Sequence, residues 1–212
     1  MATADASSRL SRPAWKVGLA LLQDALLVGV YALFFVASAA DVADGNYFNV
    51  PLAVEQALLV GMFLTRRRSV ATSTRPLDWL FACGAWLPLL LRSADPGGIQ
   101  GFAGTAIQTI GLVMTCACFV ALGRSFGLVA ANRGLKTMGP YRLVRHPIYL
   151  SHLITQVGFC IANPTAINVG IVVVTSACQV MRIRAEERVL TETGDYATYR
   201  NQVRWRLLPG IF

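Results

Sequence analysis

A succession of long apolar runs constrains this chain more than any other feature. They lie at about residues 16–40, 48–65, 77–91 and 101–123, and two shorter ones at about 148–162 and 165–182 flank Asn163-Pro164. A helix needs about 20 mostly apolar residues to cross a hydrocarbon core of ~30 Å. In lipid only a helix or a closed barrel satisfies its own backbone polar groups. Charged residues make up 14% of the 212 residues, against about 25% in a soluble domain, so the chain lacks the polar surface that solubility requires. The expected fold is therefore all-α, a polytopic transmembrane helical bundle. The first run is too long for the apolar core of a signal peptide and contains Gln23 and Asp24, so it reads as a retained span.

No repeat or linker interrupts the chain, and one bundle is the expected unit. Three parts are distinguished: a flexible tail at 1–15, N-terminal transmembrane helices at 16–123, and a segment at 124–212. That last segment holds a loop, a helical hairpin and an interfacial C-terminal helix. Pro164 ends one arm of the hairpin and opens the next. The first arm has about 15 residues, roughly 22 Å of helix, which is short of the hydrocarbon thickness and implies a turn kept inside the protein. The third run is also short and is expected to tilt or to insert only partly.

Charge sets the expected orientation. Eighteen of the 19 Lys and Arg lie before the first span, after the second, after the fourth, or after the hairpin, and Arg92 alone lies in the alternate loops. The positive-inside rule then places both termini and the long loops in the cytoplasm. Basic loops beside anionic lipid explain the net charge of +8 without nucleic acid as a partner. The five cysteines fall inside apolar runs and lack metal-ligand spacing, so they read as small buried hydrophobes. Gly104, Gln108, Gly111, Thr115 and Cys118 recur at helical spacing, the pattern that lets helices approach closely in lipid; packing is the first reading and a pocket wall the second. Asp24 and Glu55 are intramembrane acids, each either structural or functional, at opposite depths and not expected to meet.

The chemistry concentrates in residues 122–209. Gly139-Pro140 marks a turn, His146 precedes a proline and is biased away from helix, and Pro147 suits the first helical position. The start of that helix faces the basic loop, where its N–H groups and dipole favour an anion. Tyr149, His152 and Gln156 share one face of an otherwise apolar helix, and an interhelical hydrogen bond is the plainer reading of His152. His146, at the membrane rim beside Arg142 and Arg145, reads as functional. Arg182 and Glu186 lie one turn apart at the far end of the hairpin. Either they form a surface ion pair, or the hairpin returns them to His146 and Tyr149 around one pocket. Tyr196, Tyr199 and Val203 share a face of the last segment, which closes that pocket or lies on headgroups.

Gly139-Pro140-Tyr141, then Arg145-His146-Pro147-Ile148-Tyr149, Asn163-Pro164, Glu186-Glu187 and Gly194-Asp195-Tyr196-Ala197-Thr198-Tyr199 resemble the C-terminal signature of the isoprenylcysteine carboxyl methyltransferase family. That superfamily also includes phospholipid N-methyltransferases and small-thiol S-methyltransferases. The resemblance covers roughly the last 90 residues; the preceding residues match only as apolar helices. It implies S-adenosyl-L-methionine as cofactor, in a cytoplasmic pocket built from the last helices and the connecting loop. Carried over by position, it implies cofactor contacts from Arg133, Gly134, Leu135 and Lys136, largely through backbone. Tyr141, His146, Pro147, Ile148, Tyr149, Glu186 and Glu187 complete that set. Arg182 matches a substrate-side arginine and, with Glu186, forms the catalytic pair. The sequence departs from the family in having Ser151 where a glycine is frequent and in a shorter loop before Leu135, which bears on the acceptor more than on the cofactor.

Methyl transfer from a sulfonium is a direct displacement, so the protein must align the reacting atoms and exclude water. Glu186 suits the cofactor's ammonium, the helix start at Pro147 its carboxylate, and Arg182 an anionic acceptor through paired N–H bonds. The resemblance implies a lipophilic or small acceptor bearing a carboxylate, an amine or a thiol. Two alternatives compete: an NADPH-dependent membrane reductase of related fold, and a non-enzymatic carrier, which predicts inverted repeats that the sequence lacks.

Overall fold

The computed structural model describes residues 14–65, 71–73, 75–92, 98–125, 131–132, 135–192 and 196–212. Seven α-helices occur among them: α1 (Ala14–Ala43), α2 (Val50–Thr65), α3 (Pro76–Cys83), α4 (Gly98–Leu122), α5 (Pro147–Ala162), α6 (Ala166–Thr191) and α7 (Tyr196–Gln202). The all-α expectation holds, with the exception of a two-residue antiparallel pairing in which Ala71 faces Asn132 and Thr72 faces Ala131. Four helical stretches are long and apolar enough to cross a membrane: Ala25–Ala43, Tyr47–Thr65, Gly98–Leu122 and Ala166–Thr191. Phe102 is 72% exposed and Val120 85% exposed on α4. In water such side chains would be unfavourable, whereas in lipid they face a solvent as apolar as themselves. The chain is an integral membrane protein.

The short runs behave as their lengths require. The third run forms α3 and then a 3-10 stretch, Gly84–Leu90, with Pro88 inside it. Proline lacks the N–H that an α-helix needs there. α5 has 16 residues, roughly 24 Å. The turn after it is buried in protein: Asn163 and Asn168 are fully buried. The Asn168 amide donates to the Arg92 and Asn163 carbonyls, both at 2.9 Å, and its side-chain oxygen accepts from the Arg92 amide at 3.0 Å. Thr165 caps α6 by accepting from the Asn168 amide at 3.1 Å. α6 has 26 residues, roughly 39 Å, and so outlasts the hydrocarbon core. Its charged last turns, from Arg182 onward, return beside the start of α5.

The small-residue stripe of α4 is a packing surface. Gly104, Gln108, Gly111, Thr115 and Cys118 are all buried. A Cβ added at Gly104 would lie 2.5 Å from the Ala162 amide nitrogen, and one at Gly158 would lie 2.6 Å from that of Gln108. The α4 and α5 backbones are thus nearly in contact, and the Thr115 hydroxyl donates to Ser151 at 2.9 Å between them. The core gathers Leu27 and Tyr31 from α1, Leu59 and Phe63 from α2, Phe119 from α4, Ile148 and Tyr149 from α5, and Ile183 from α6. Of the cysteines, which are all free thiols, Cys118 is fully buried but Cys83 is exposed. The expectation of five buried cysteines therefore holds only in part, because an apolar thiol needs no burial where lipid surrounds it. Residues 1–13 of the expected tail and the side chain of Asp24 lie outside the described residues, and α1 already begins at Ala14.

The loops after α2 and α4 meet at one end of the bundle through the strand pairing. α6 joins them there: Arg188 pairs with Asp78, which also accepts a hydrogen bond from the Ser73 hydroxyl. Arg92 lies at the other end, with the hairpin turn.

Candidate active site

Two cavities open at the end of the bundle where the long loops meet. The smaller is lined by Leu135, Lys136, Tyr141, Leu190, Tyr196 and Tyr199, among others. The larger runs from that end into the bundle, past Tyr149 and Arg182 to Glu55, Gln56, His152, Gln156 and Gln179. Leu122, Ser125, Tyr141, Arg145, His146 and Glu186 line both, so the two spaces share a wall. Counting the open mouths, their volumes are about 450 Å³ and 1160 Å³.

Local sequence places the shared wall. A 3-10 turn, Gly139–Arg142, opens on Gly139 at φ 60°, a conformation that favours glycine, with Pro140 following. It turns Tyr141 inward, where the Tyr199 hydroxyl donates to its carbonyl at 2.7 Å. Burial pushes the Tyr141 hydroxyl well above its usual range and the Tyr199 hydroxyl up to about 12, so both remain protonated donors at neutral pH. Tyr196 and Tyr199 line the smaller cavity, so the segment from Tyr196 forms part of its wall. His146, at φ −128° and ψ 57°, lies outside the helix that Pro147 begins. The Tyr149 and Leu150 amides both donate to the His146 carbonyl, at 3.2 and 3.4 Å. Part of the donor capacity expected for an anion at this helix start is thus used within its own turn.

The carboxylates of the adjacent pair point to different partners. Glu186 faces the cavities and accepts from the Tyr149 hydroxyl at 3.1 Å, with His146 Nδ1 at 3.8 Å. Glu187 lines neither cavity. It is buried and meets Arg145 Nη1 at 3.0 Å, His146 Nε2 at 3.2 Å, and both Nε and Nη2 of Arg206 at 3.0 Å. The Arg145 and His146 amides donate to the carbonyls of Trp205 and Arg206, each at 2.9 Å. Glu187 thus ties the loop before α5 to the C-terminal segment. Arg182 lies over the Tyr149 ring, 5.1 Å from its centroid.

Of the residues singled out from the sequence, Leu135, Lys136, Tyr141, His146, Ile148, Tyr149, Arg182 and Glu186 line one cavity or both. Pro147 is buried at the helix start, while Arg133 and Gly134 lie outside the described residues. The match to known proteins falls on this same region: residues 104–192, from α4 to the end of α6, match the model described as "Isoprenylcysteine carboxyl methyltransferase (ICMT) family". The match spans 89 of the 212 residues, and the likeness is that of this stretch. The chain therefore combines membrane-spanning helices with a stretch similar to a methyltransferase family. No curated protein matches it. The matched stretch contains the hairpin and both of its site-facing ends, but not α1 to α3 or α7.

Reasoning from sequence missed part of the cavity wall. Glu55 and His152 pair directly across α2 and α5. The interhelical reading of His152 is met, with its partner unforeseen. Tyr31, Gln56 and Gln179 also line the larger cavity. The available signal was the presence of polar residues in apolar runs, which marks such positions without saying which of them face one another.

Proposed function

We propose that the protein transfers a methyl group from S-adenosyl-L-methionine to a lipophilic or small acceptor, with the donor in the smaller cavity and the acceptor in the larger. The observation that carries this reading is the shared wall of His146, Tyr141 and Glu186 between the two spaces. S-adenosylmethionine carries an ammonium, a carboxylate, an adenine ring and a sulfonium-bound methyl group. The residues present fit it. Glu186 keeps acceptor lone pairs beyond its Tyr149 bond for the ammonium. Lys136 and Arg145 supply positive charge for the carboxylate, and Leu135, Leu190 and Tyr196 supply apolar surface for the ring. This surrounds a developing neutral sulfur with fixed groups rather than water.

Glu187 acts in this reading as a positioning residue, holding His146 against the wall from behind. Arg182 belongs to the acceptor side and orients the Tyr149 ring by lying on its face. Replacing His146 by Ala and Glu186 by Ala is expected to weaken S-adenosylmethionine binding by roughly tenfold or more each, since a hydrogen bond to a charged group is worth about 1.5–3 kcal/mol. Tyr149→Phe is expected to weaken it less, because Tyr149 acts on the donor through its bond to Glu186. In the same series Arg182→Lys is expected to slow transfer while leaving donor affinity unchanged. Calorimetric titration of the purified variants checks both, and unchanged affinity in the first three would refute the donor assignment.

We further propose that the site end of the bundle is cytoplasmic. The meeting of the basic loops at one end, and the position of Arg92 at the other, support it. Reporter fusions at the two termini should both score as cytoplasmic; an external score for either would reject the orientation.

A further inference from the structure

The larger cavity continues past the residues that the reading above assigns to methyl transfer, and its inner end is polar. Tyr149, His152 and Gln156 follow one another along a single face of α5, and each lines the cavity. Tyr149 bonds Glu186 at the shared wall. His152 stands one turn deeper, its Nδ1 paired with the Glu55 carboxylate from α2. Glu55, Gln56 and Gln156 are all buried. The side-chain oxygens of Gln56 and Gln156 are buried without a hydrogen-bond partner. An unpaired buried carbonyl is costly, and a ligand that brings N–H groups removes the cost.

Charge and tautomer then narrow the ligand. A carboxylate holding Nδ1–H leaves the lone pair on Nε2, which makes His152 a proton acceptor. Glu55 from α2 pairs with it, and Gln179 and Arg182 from α6, Tyr31 from α1, and Tyr149 from its own helix line the same cavity. A carboxylate acceptor brings no donor for the glutamine oxygens; the cation that would attract it, Arg182, lies over Tyr149, while the inner end holds the Glu55 carboxylate beside His152. An amine brings those donors, and the Glu55 carboxylate does not repel it.

We propose that the inner end of this cavity is the binding site of an amine acceptor, and that His152 is a catalytic residue that takes its proton. The inference rests on the methyltransferase reading above. The amine lone pair attacks the methyl carbon as the carbon–sulfur bond breaks, and that bond's electron pair stays on sulfur. The new N-methylammonium gives one proton to His152 Nε2, and the Glu55 carboxylate balances the imidazolium charge. The apolar walls, Leu52, Leu59, Leu89 and Phe159, suit an alkyl body behind the amine.

The test uses the full chain in detergent micelles, with dodecylamine, dodecanethiol and dodecanoate as probes. S-adenosylmethionine affinity is measured first by calorimetry, and its absence in the wild type overturns the parent reading. Given donor binding, dodecylamine is expected to accept labelled methyl at least a hundredfold faster than the other two. Glu55→Gln is expected to weaken dodecylamine binding, measured without donor, about tenfold. His152→Gln is expected to slow transfer about a hundredfold with donor affinity within twofold of wild type, and added imidazole should restore part of the rate in His152→Ala. Preference for dodecanoate or dodecanethiol overturns the amine assignment. Unaltered transfer in His152→Gln, or unaltered dodecylamine binding in Glu55→Gln, overturns the role of the pair while leaving the donor site intact.

Discussion

Glu187→Ala is expected to destabilise the protein by about 3–5 kcal/mol, the cost of removing one partner from a buried ion pair. Glu187 is 8% exposed and Arg145 is 7% exposed. Without the carboxylate, Arg145 keeps its charge with no counter-ion at that position, and the fork between Arg206 and Glu187 Oε2 is lost. His146 then loses the contact at its Nε2. Glu187→Gln preserves the shape and one acceptor oxygen, so its loss should be smaller. Thermal unfolding in detergent reads the effect directly. A midpoint for Glu187→Ala equal to wild type would show that the loop and the C-terminal segment hold together without this carboxylate. Donor affinity in Glu187→Gln should fall less than in Glu186→Ala, because Glu187 acts on the site only through His146.

Gly158→Val is expected to be comparably disruptive for a different reason. A Cβ at residue 158 would lie 2.6 Å from the Gln108 amide nitrogen and 2.7 Å from the Gly104 carbonyl oxygen. Both are backbone atoms, which no rotamer change moves aside, so α4 and α5 must separate. Overpacking costs about 1–3 kcal/mol where side chains can yield, and this site should fall at or above the upper end of that range. Separation also draws Ser151 away from Thr115. Gly170→Val is the matched control, since nothing lies within 4 Å of a Cβ there. Unfolding midpoints of the two variants should differ widely. Equal midpoints would mean that the α4–α5 approach contributes nothing to stability.

Much of the fold was legible in the sequence because lipid leaves few choices. Apolar runs of near-spanning length must be helices: the α4 and α5 bounds fall within a few residues of the runs that announce them, while α6 starts with its run and continues nine residues past its end. Asn163-Pro164 marks the hairpin turn by its local chemistry, while the Thr165 cap emerged only in the structure. The convergence of His146, Tyr149, Arg182 and Glu186 was also legible, because two adjacent helices joined by a short turn return the end of one to the start of the other. Adjacent carboxylates were not distinguishable in this way. Glu186 and Glu187 have the same chemistry in a line of text, yet consecutive residues on a helix point about 100° apart. The rotation of α6 about its axis aims one at the cavities and the other at Arg145, His146 and Arg206. α6 packs against the 3-10 stretch Gly84–Leu90, α3 and α5, and this packing fixes its rotation. The meeting of Glu55 with His152 was likewise decided only by tertiary structure. These residues are 97 positions apart, and the depth and rotation of α2 against α5 bring them together. Local sequence thus determined which segments are helices and where they turn, since period, proline and length act over a few residues. Which polar side chains face one another depended on helix rotation and depth, which are properties of the packed bundle.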